Sequence, residues 1–144
     1  MPYGLDRILN TMASTLSAQS IRMNITASNL ANAGSMGSSE ATTFHSKHPV
    51  FQEVQQQVAG LIQNDQPVGG VRVTDIVESK QKLDWHYEPD NPMADKDGRV
   101  YITDVDSISE MTDMLAASKE YHAAIEVMNT TKSLLLKTIR AMNT

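Results

Sequence analysis

Residues 5–33 and 99–144 contain neither glycine nor proline, the two strongest breakers of regular structure. Apart from Pro2 and Gly4, every glycine and proline falls between these two stretches. A chain punctuated in this way reads as a helix, an irregular centre and a second helix. At 144 residues it has the length of one ordinary domain and too little for two.

The first stretch repeats every seven residues. One row is Leu9, Leu16, Met23 and Leu30; the other is Leu5, Met12, Gln19 and Thr26. The rows are offset by three and four positions, the a/d arrangement of a coiled-coil seam. A helix over residues 5–32 would run about 40 Å at 1.5 Å per residue. Gly34, after Ala33, offers a left-handed stop. The second stretch has the rows Met111, Ser118, Ile125, Lys132, Ile139 and Met114, Tyr121, Met128, Leu135, Met142. Ser107-Ile108-Ser109-Glu110 fits a capping box before it. Asp104, Asp106, Glu110 and Asp113 crowd its start, and Lys132, Lys137 and Arg140 its end, as the helix dipole favours. Gln19, Thr26, Ser118 and Lys132 interrupt the apolar rows. Helices with such defects pack partly against each other and partly against something else. Six of the nine methionines lie in these helices, and methionine adapts to irregular neighbours. Core filling is the ordinary reason for that; contact with several partners is the more specific one.

The centre reads differently. Residues 34–39 (GSMGSS) form a flexible loop, and residues 50–62 hold a short helix or a strand. Val71, Val73, Ile76 and Val77 read as a strand. Leu83, Trp85 and Tyr87 alternate with polar neighbours, as in a half-buried strand that places Trp85 inside. Val100 and Ile102 give a third strand, and Pro89-Asp90-Asn91-Pro92 and Asp97-Gly98 are turns. The predicted fold is therefore mainly α. Two long terminal helices pair as a coiled-coil-like layer (1–33 with 104–144), and 34–103 hold a small β-hairpin or three-stranded insert.

Composition narrows the function. The net charge of −5 lacks the basic face that nucleic acid requires, and it offers no polybasic anchor for lipid. No apolar run approaches the roughly 20 residues of a membrane-spanning helix, so no direct membrane insertion is expected. The start MPYGLDRILN shows no basic region followed by an apolar one, so no cleaved secretory signal is expected. With no cysteine there are no disulfides, thiolate metal sites or cysteine nucleophiles. Asp95, Asp97 and Asp104 around Gly98 have the spacing of a calcium loop, but Met93 takes its first ligand position. His45 and His48 do not by themselves close a zinc tetrahedron. No glycine-framed nucleophile elbow, dinucleotide fingerprint or phosphate loop is present. No catalytic, metal or cofactor site is expected. The two imperfect end helices need other copies or other proteins to cover them, which points to an assembly subunit rather than an enzyme. A cytoplasmic coiled-coil adaptor or export chaperone is the alternative.

The stretch Asn24-Ile25-Thr26-Ala27-Ser28-Asn29-Leu30-Ala31-Asn32-Ala33 resembles the N-terminal motif of the bacterial flagellar axial proteins, which include rod, hook and hook-associated subunits. Residues 117–139 (ASKEYHAAIEVMNTTKSLLLKTI) resemble their C-terminal motif. The short length and residues 87–98 (YEPDNPMADKDG) place the resemblance with the proximal-rod branch, and it covers the chain outside residues 54–67. Where the family usually reads Arg-x-Tyr-x-Ala-Asn, Lys119 stands for the arginine and Ala124 for the asparagine. The loop after Ala33 also lacks the Thr-Pro-Gly of longer rod and hook proteins. The resemblance implies that the end helices pair into the inner layer of a helical rod. That rod crosses the periplasm, transmits torque and encloses the export channel. It implies type III export without a cleaved signal. The implied partners are further copies, the rod proteins FlgB, FlgF and FlgG, and the adaptor FliE. The expected assembly interface is Leu5, Leu9, Met12, Leu16, Met23, Asn29, Leu30 and Asn32 in the first helix. In the second it is Met111, Met114, Tyr121, Ile125, Met128, Leu135, Ile139 and Met142.

Overall fold

The computed structural model describes residues 3–54 and 69–142. Its elements are α1 (Tyr3–Ala31), β1 (Met36–Gly37), β2 (Lys47–Glu53), β3 (Val71–Glu78), β4 (Trp85–Tyr87), β5 (Arg99–Ile102) and α2 (Ser107–Met142). The mainly helical architecture with a small antiparallel insert is the one the sequence predicts. The ends of the helices differ in detail. The Asn32 and Ala33 N–H groups bond the Asn29 and Leu30 carbonyls at 3.0 and 3.3 Å, so α1 closes by tightening its last turn. Among the described residues only Gly98 has a positive φ, 74°, so Gly34 is not the left-handed cap expected of it. At the start of α2 the Ile108 N–H bonds Asp106 Oδ1 at 3.0 Å, and the Glu110 N–H bonds the Asp106 carbonyl at 3.0 Å. Asp106 is thus the N-cap, one residue ahead of the predicted Ser107. Glu110 takes no part in a capping box and turns into the interior.

The helices run antiparallel. Gln19 donates to Glu120, Arg22 pairs with Asp113 at 3.0 Å, and Asn29 donates to Glu110 at 2.9 Å, so partners descend along α2 as α1 ascends. Arg22, Asn29 and Gln19 define the seam stripe of α1, with Thr26 also buried. On α2 the buried residues are Glu110, Ala117, Ala124 and Thr131, a strict heptad. One predicted row on each helix, the Met12–Gln19–Thr26 row and the Met114–Tyr121–Met128–Leu135 row, borders this seam. The other predicted row lies on the flank.

The β2–β3 hairpin lies along α1 on another side. The Asn29 amide holds Lys47 at one end, and Ser14 Oγ accepts the Val71 N–H at 3.2 Å at the other. Fifteen residues of helix span about 22 Å, and the six steps from Lys47 to Glu53 about 20 Å, so the two elements match in length. β2 and β3 pair from Lys47↔Glu78 to Glu53↔Val71, with a bulge where Thr74 has no partner. The bulge absorbs one residue. It thereby keeps Val73 and Ile76, three apart, on the same face as Phe51 and Pro49.

The remaining strands form a separate sheet in the order β1-β5-β4. The predicted three-stranded patch is therefore divided. Residues 71–78 pair with 47–53, and Met36–Gly37, predicted as loop, completes the second sheet. The rest of the segment 50–62 from residue 55 onward lies outside the described residues. Leu83 and Val100 are buried, but Trp85 is 48% exposed, against the expectation that it lies inside. Trp85, Tyr87, Arg99 and Tyr101 share the outer face, whereas Val100, paired with His86, fills the inner one. The Arg99 guanidinium sits 5.1 Å from the centroid of the Trp85 ring.

Candidate assembly surface

Asn29 is 1% exposed and joins three elements. Its Nδ2 donates to the Lys47 carbonyl at 2.8 Å and to Glu110 Oε1 at 2.9 Å, while its Oδ1 accepts the Lys47 N–H at 3.0 Å. The side-chain amide pairs with the start of β2 as another strand would, and clamps α2 as it does so. A buried carboxylate is costly unless hydrogen-bonded, and the amide supplies Glu110 with a donor. Beside this node, Asp104 Oδ1 accepts the Ser46 N–H at 2.7 Å. Partial burial pushes the Asp104 carboxyl up, but bonds from the Ser79 side chain and from Ser46 outweigh it and hold the group below its ordinary value. The acids with the spacing of a calcium loop have separate structural roles: Asp104 fixes Ser46, while Asp95 Oδ1 accepts the Asp97 and Arg99 N–H groups at 2.8 Å within the turn at Gly98. A β-carbon at Gly98 would lie 2.8 Å from the Tyr87 ring, which together with the positive φ requires glycine there.

The expected interface residues divide three ways. Asn29 is buried. Leu5, Leu9, Met12, Leu16, Met23, Leu30 and Asn32 are half-buried, as are Met114, Tyr121, Ile125, Met128 and Leu135. Met111, Ile139 and Met142 face outward. The heptad reading misses Glu110, Ala117, Ala124 and Thr131, because small and polar residues carry no apolar signal. Their only trace in the sequence is the spacing of seven. Ile108 and Leu115 are missed as well. They are 77% and 71% exposed and, with Met111, line one face of α2 at i, i+3 and i+7. A groove between α1 and β3 is lined by Asn10, Ser14, Ser17, Ala18, Val71 and Val73, and Arg72 is the ionisable group at its wall. Among the described residues no helix is long and apolar enough to cross a membrane, and no three His, Asp or Glu side chains gather as a metal site.

Comparison with known proteins fits this geometry. A family described as flagella basal body rod protein matches residues 9–34, within and just past α1. One described as the C-terminal part of the flagellar basal body rod FlgEFG proteins matches residues 96–141, β5 and α2. A Salmonella typhimurium protein named flagellar basal-body rod protein FlgC is 42% identical over 132 residues, covering 92% of this chain and 93% of its own length. The chain belongs to the FlgC family of flagellar basal-body rod proteins. An Escherichia coli FlgC is 41% identical over the same extent, and one from Buchnera aphidicola of Acyrthosiphon pisum is 33% identical over 134 residues. The role of the FlgC family is structural, in the rod of the flagellar basal body, and the two matched regions cover most of α1 and nearly all of α2.

Proposed function

We propose that this chain builds the inner layer of the basal-body rod with its paired terminal helices, 1–33 with 104–144, while 34–103 dress their outer side. One observation carries the reading. The large apolar residues Ile108, Met111 and Leu115 face outward, while the seam between the helices is filled by alanine, threonine and bonded polar groups. A chain that spends small residues on its own seam and leaves large ones outside is shaped for neighbours. Those neighbours are further copies, FlgB, FlgF, FlgG and the adaptor FliE, in a rod that crosses the periplasm, carries torque and surrounds the export channel. Export as an unfolded chain, without a cleaved signal, follows from the same reading.

The test separates export from assembly. Met111→Glu with Leu115→Glu places two carboxylates on the outward face, where they cost the free subunit about 0.5 kcal/mol or less. In the rod the same charges must be desolvated without a partner. The expected result is normal secretion of the variant, an unchanged melting temperature of the purified chain, and cells without complete basal bodies. Normal basal bodies and motility would overturn the reading.

A further inference from the structure

The chain is electrically polarised along α2. Residues 84–99 carry Asp84, Glu88, Asp90, Asp95 and Asp97 against Lys96 and Arg99, a net excess of acid. They lie in and around β4 and the turn after it, where Trp85 and Tyr87 are exposed and Arg99 sits between the Trp85 ring and Asp97. At the other end of the molecule α2 has no acid after Glu126 and carries Lys132, Lys137 and Arg140. The last buried position of α2 is Thr131. Beyond it Leu136, Ile139 and Met142 are all exposed. Antiparallel pairing explains this for Ile139 and Met142: Asn29 lies opposite Glu110 and Gln19 opposite Glu120, so on the same register Tyr3 falls opposite Leu136 and α1 ends before α2 does.

We propose that the basic, apolar tail of α2 of one copy seats on the acidic, aromatic face of β4 and its following turn in the next copy. The proposal deepens the assembly reading above and rests on it. Each surface has what the other lacks, a basic tail with exposed apolar groups against a face with a net excess of acid and exposed rings. They cannot meet within one chain. The sheet adjoins the start of α2, and the 36 residues of that helix hold the tail about 54 Å away. Complementary patches at opposite ends of one molecule make a heterologous contact, which propagates instead of closing as a two-fold dimer. Single exposed ion pairs contribute little, so the charges set orientation while the apolar groups supply the burial.

The absence of cysteine makes the contact readable. Full-length chains carrying Tyr87→Cys and Ile139→Cys are purified separately, mixed and mildly oxidised. The expected product is the mixed disulfide dimer, in clear excess over either self-dimer and falling as salt is raised. Met93→Cys gives a second position should Tyr87→Cys disturb the turn. Lys137→Glu in the tail chain lowers the yield, and Asp90→Lys in the sheet chain restores it. Mixed product at or below the random proportion, dominance of the Ile139→Cys self-dimer, or indifference to the charge exchange would overturn the proposal. Rods formed normally from chains that do not cross-link would remove this contact and leave the rod reading standing. Chains that cross-link as expected yet never enter rods would remove the rod reading and leave the contact.

Discussion

Asn29 shows how one polar side chain can hold more of a fold than an apolar one of its size. Truncation to alanine removes the bonds to Lys47 and leaves the Glu110 carboxylate buried without its amide donor. Asn29→Ala is therefore expected to cost about 3 kcal/mol, the sum of lost bonds and buried unpaired groups. The exposed control Asn24→Ala should stay within about 0.5 kcal/mol. Urea unfolding of both variants decides it, and near-equal midpoints would show that the node is dispensable. Asp104 adds a pH dependence whose sign is fixed. Its folded pKa lies below the ordinary value despite partial burial, because Ser79 and Ser46 bond the ionised form. Its contribution is fully present above the unfolded value of about 3.9 and is lost as pH falls through the lower folded value. Asp104→Asn should lower stability by about 1 kcal/mol at pH 7. The gap to the parent should shrink below about pH 4 in the same unfolding series.

At the scale of elements, both helices are legible because glycine and proline are excluded from them and apolar residues recur. The row that packs α1 on α2 is less so. Two seam rows are legible in the sequence, Leu9–Leu16–Met23–Leu30 and Leu5–Met12–Gln19–Thr26; Gln19 of the second makes an interhelical bond, and Arg22 and Asn29, outside both rows, make the others. A row read from hydrophobicity marks where burial is profitable, not against which partner, and α1 has two partners in α2 and the β2–β3 hairpin. The strands failed in pairing more than in position. Residues 71–78 are legible as a strand, yet nothing local marks Lys47–Glu53 as its partner, because the anchors that hold the pair along α1, Asn29 on Lys47 and Ser14 on Val71, are distant in sequence. Trp85 was misplaced because alternation gives two faces without saying which is inner, and Val100 already occupies the inner one. The seam itself is testable at Ala117, which is 0% exposed. Ala117→Leu forces three extra heavy atoms between the helices and should destabilise the chain by about 1–3 kcal/mol. Leu115→Ala, two residues away on the open face, should change the melting temperature little.

For the whole molecule, burial along α2 predicts how order is distributed in the free chain. Glu110, Ala117, Ala124 and Thr131 are each buried at the seam, one per two turns, and then the series ends. Leu135 is half-buried and the rest of residues 132–142 are exposed. Isolated helix is marginal in water, since most helical stability comes from packing a face. Opening free energy should therefore fall along α2 from Thr131 to Met142, because no position past Thr131 is buried and, on the register of Gln19 with Glu120, the end of α2 extends beyond the start of α1. Amide exchange on the dilute purified subunit is the measurement. Slow exchange is expected over residues 110–131 and fast exchange over 132–142, with the tail slowing once the subunit is incorporated in a rod. The comparison between the two states matters more than either alone. A tail that is already slow in the dilute chain would be stabilised by something internal, and the rod would then gain nothing by covering it. A tail that stays fast in the assembled rod would lie outside every interface, and its exposed Leu136, Ile139 and Met142 would need another explanation.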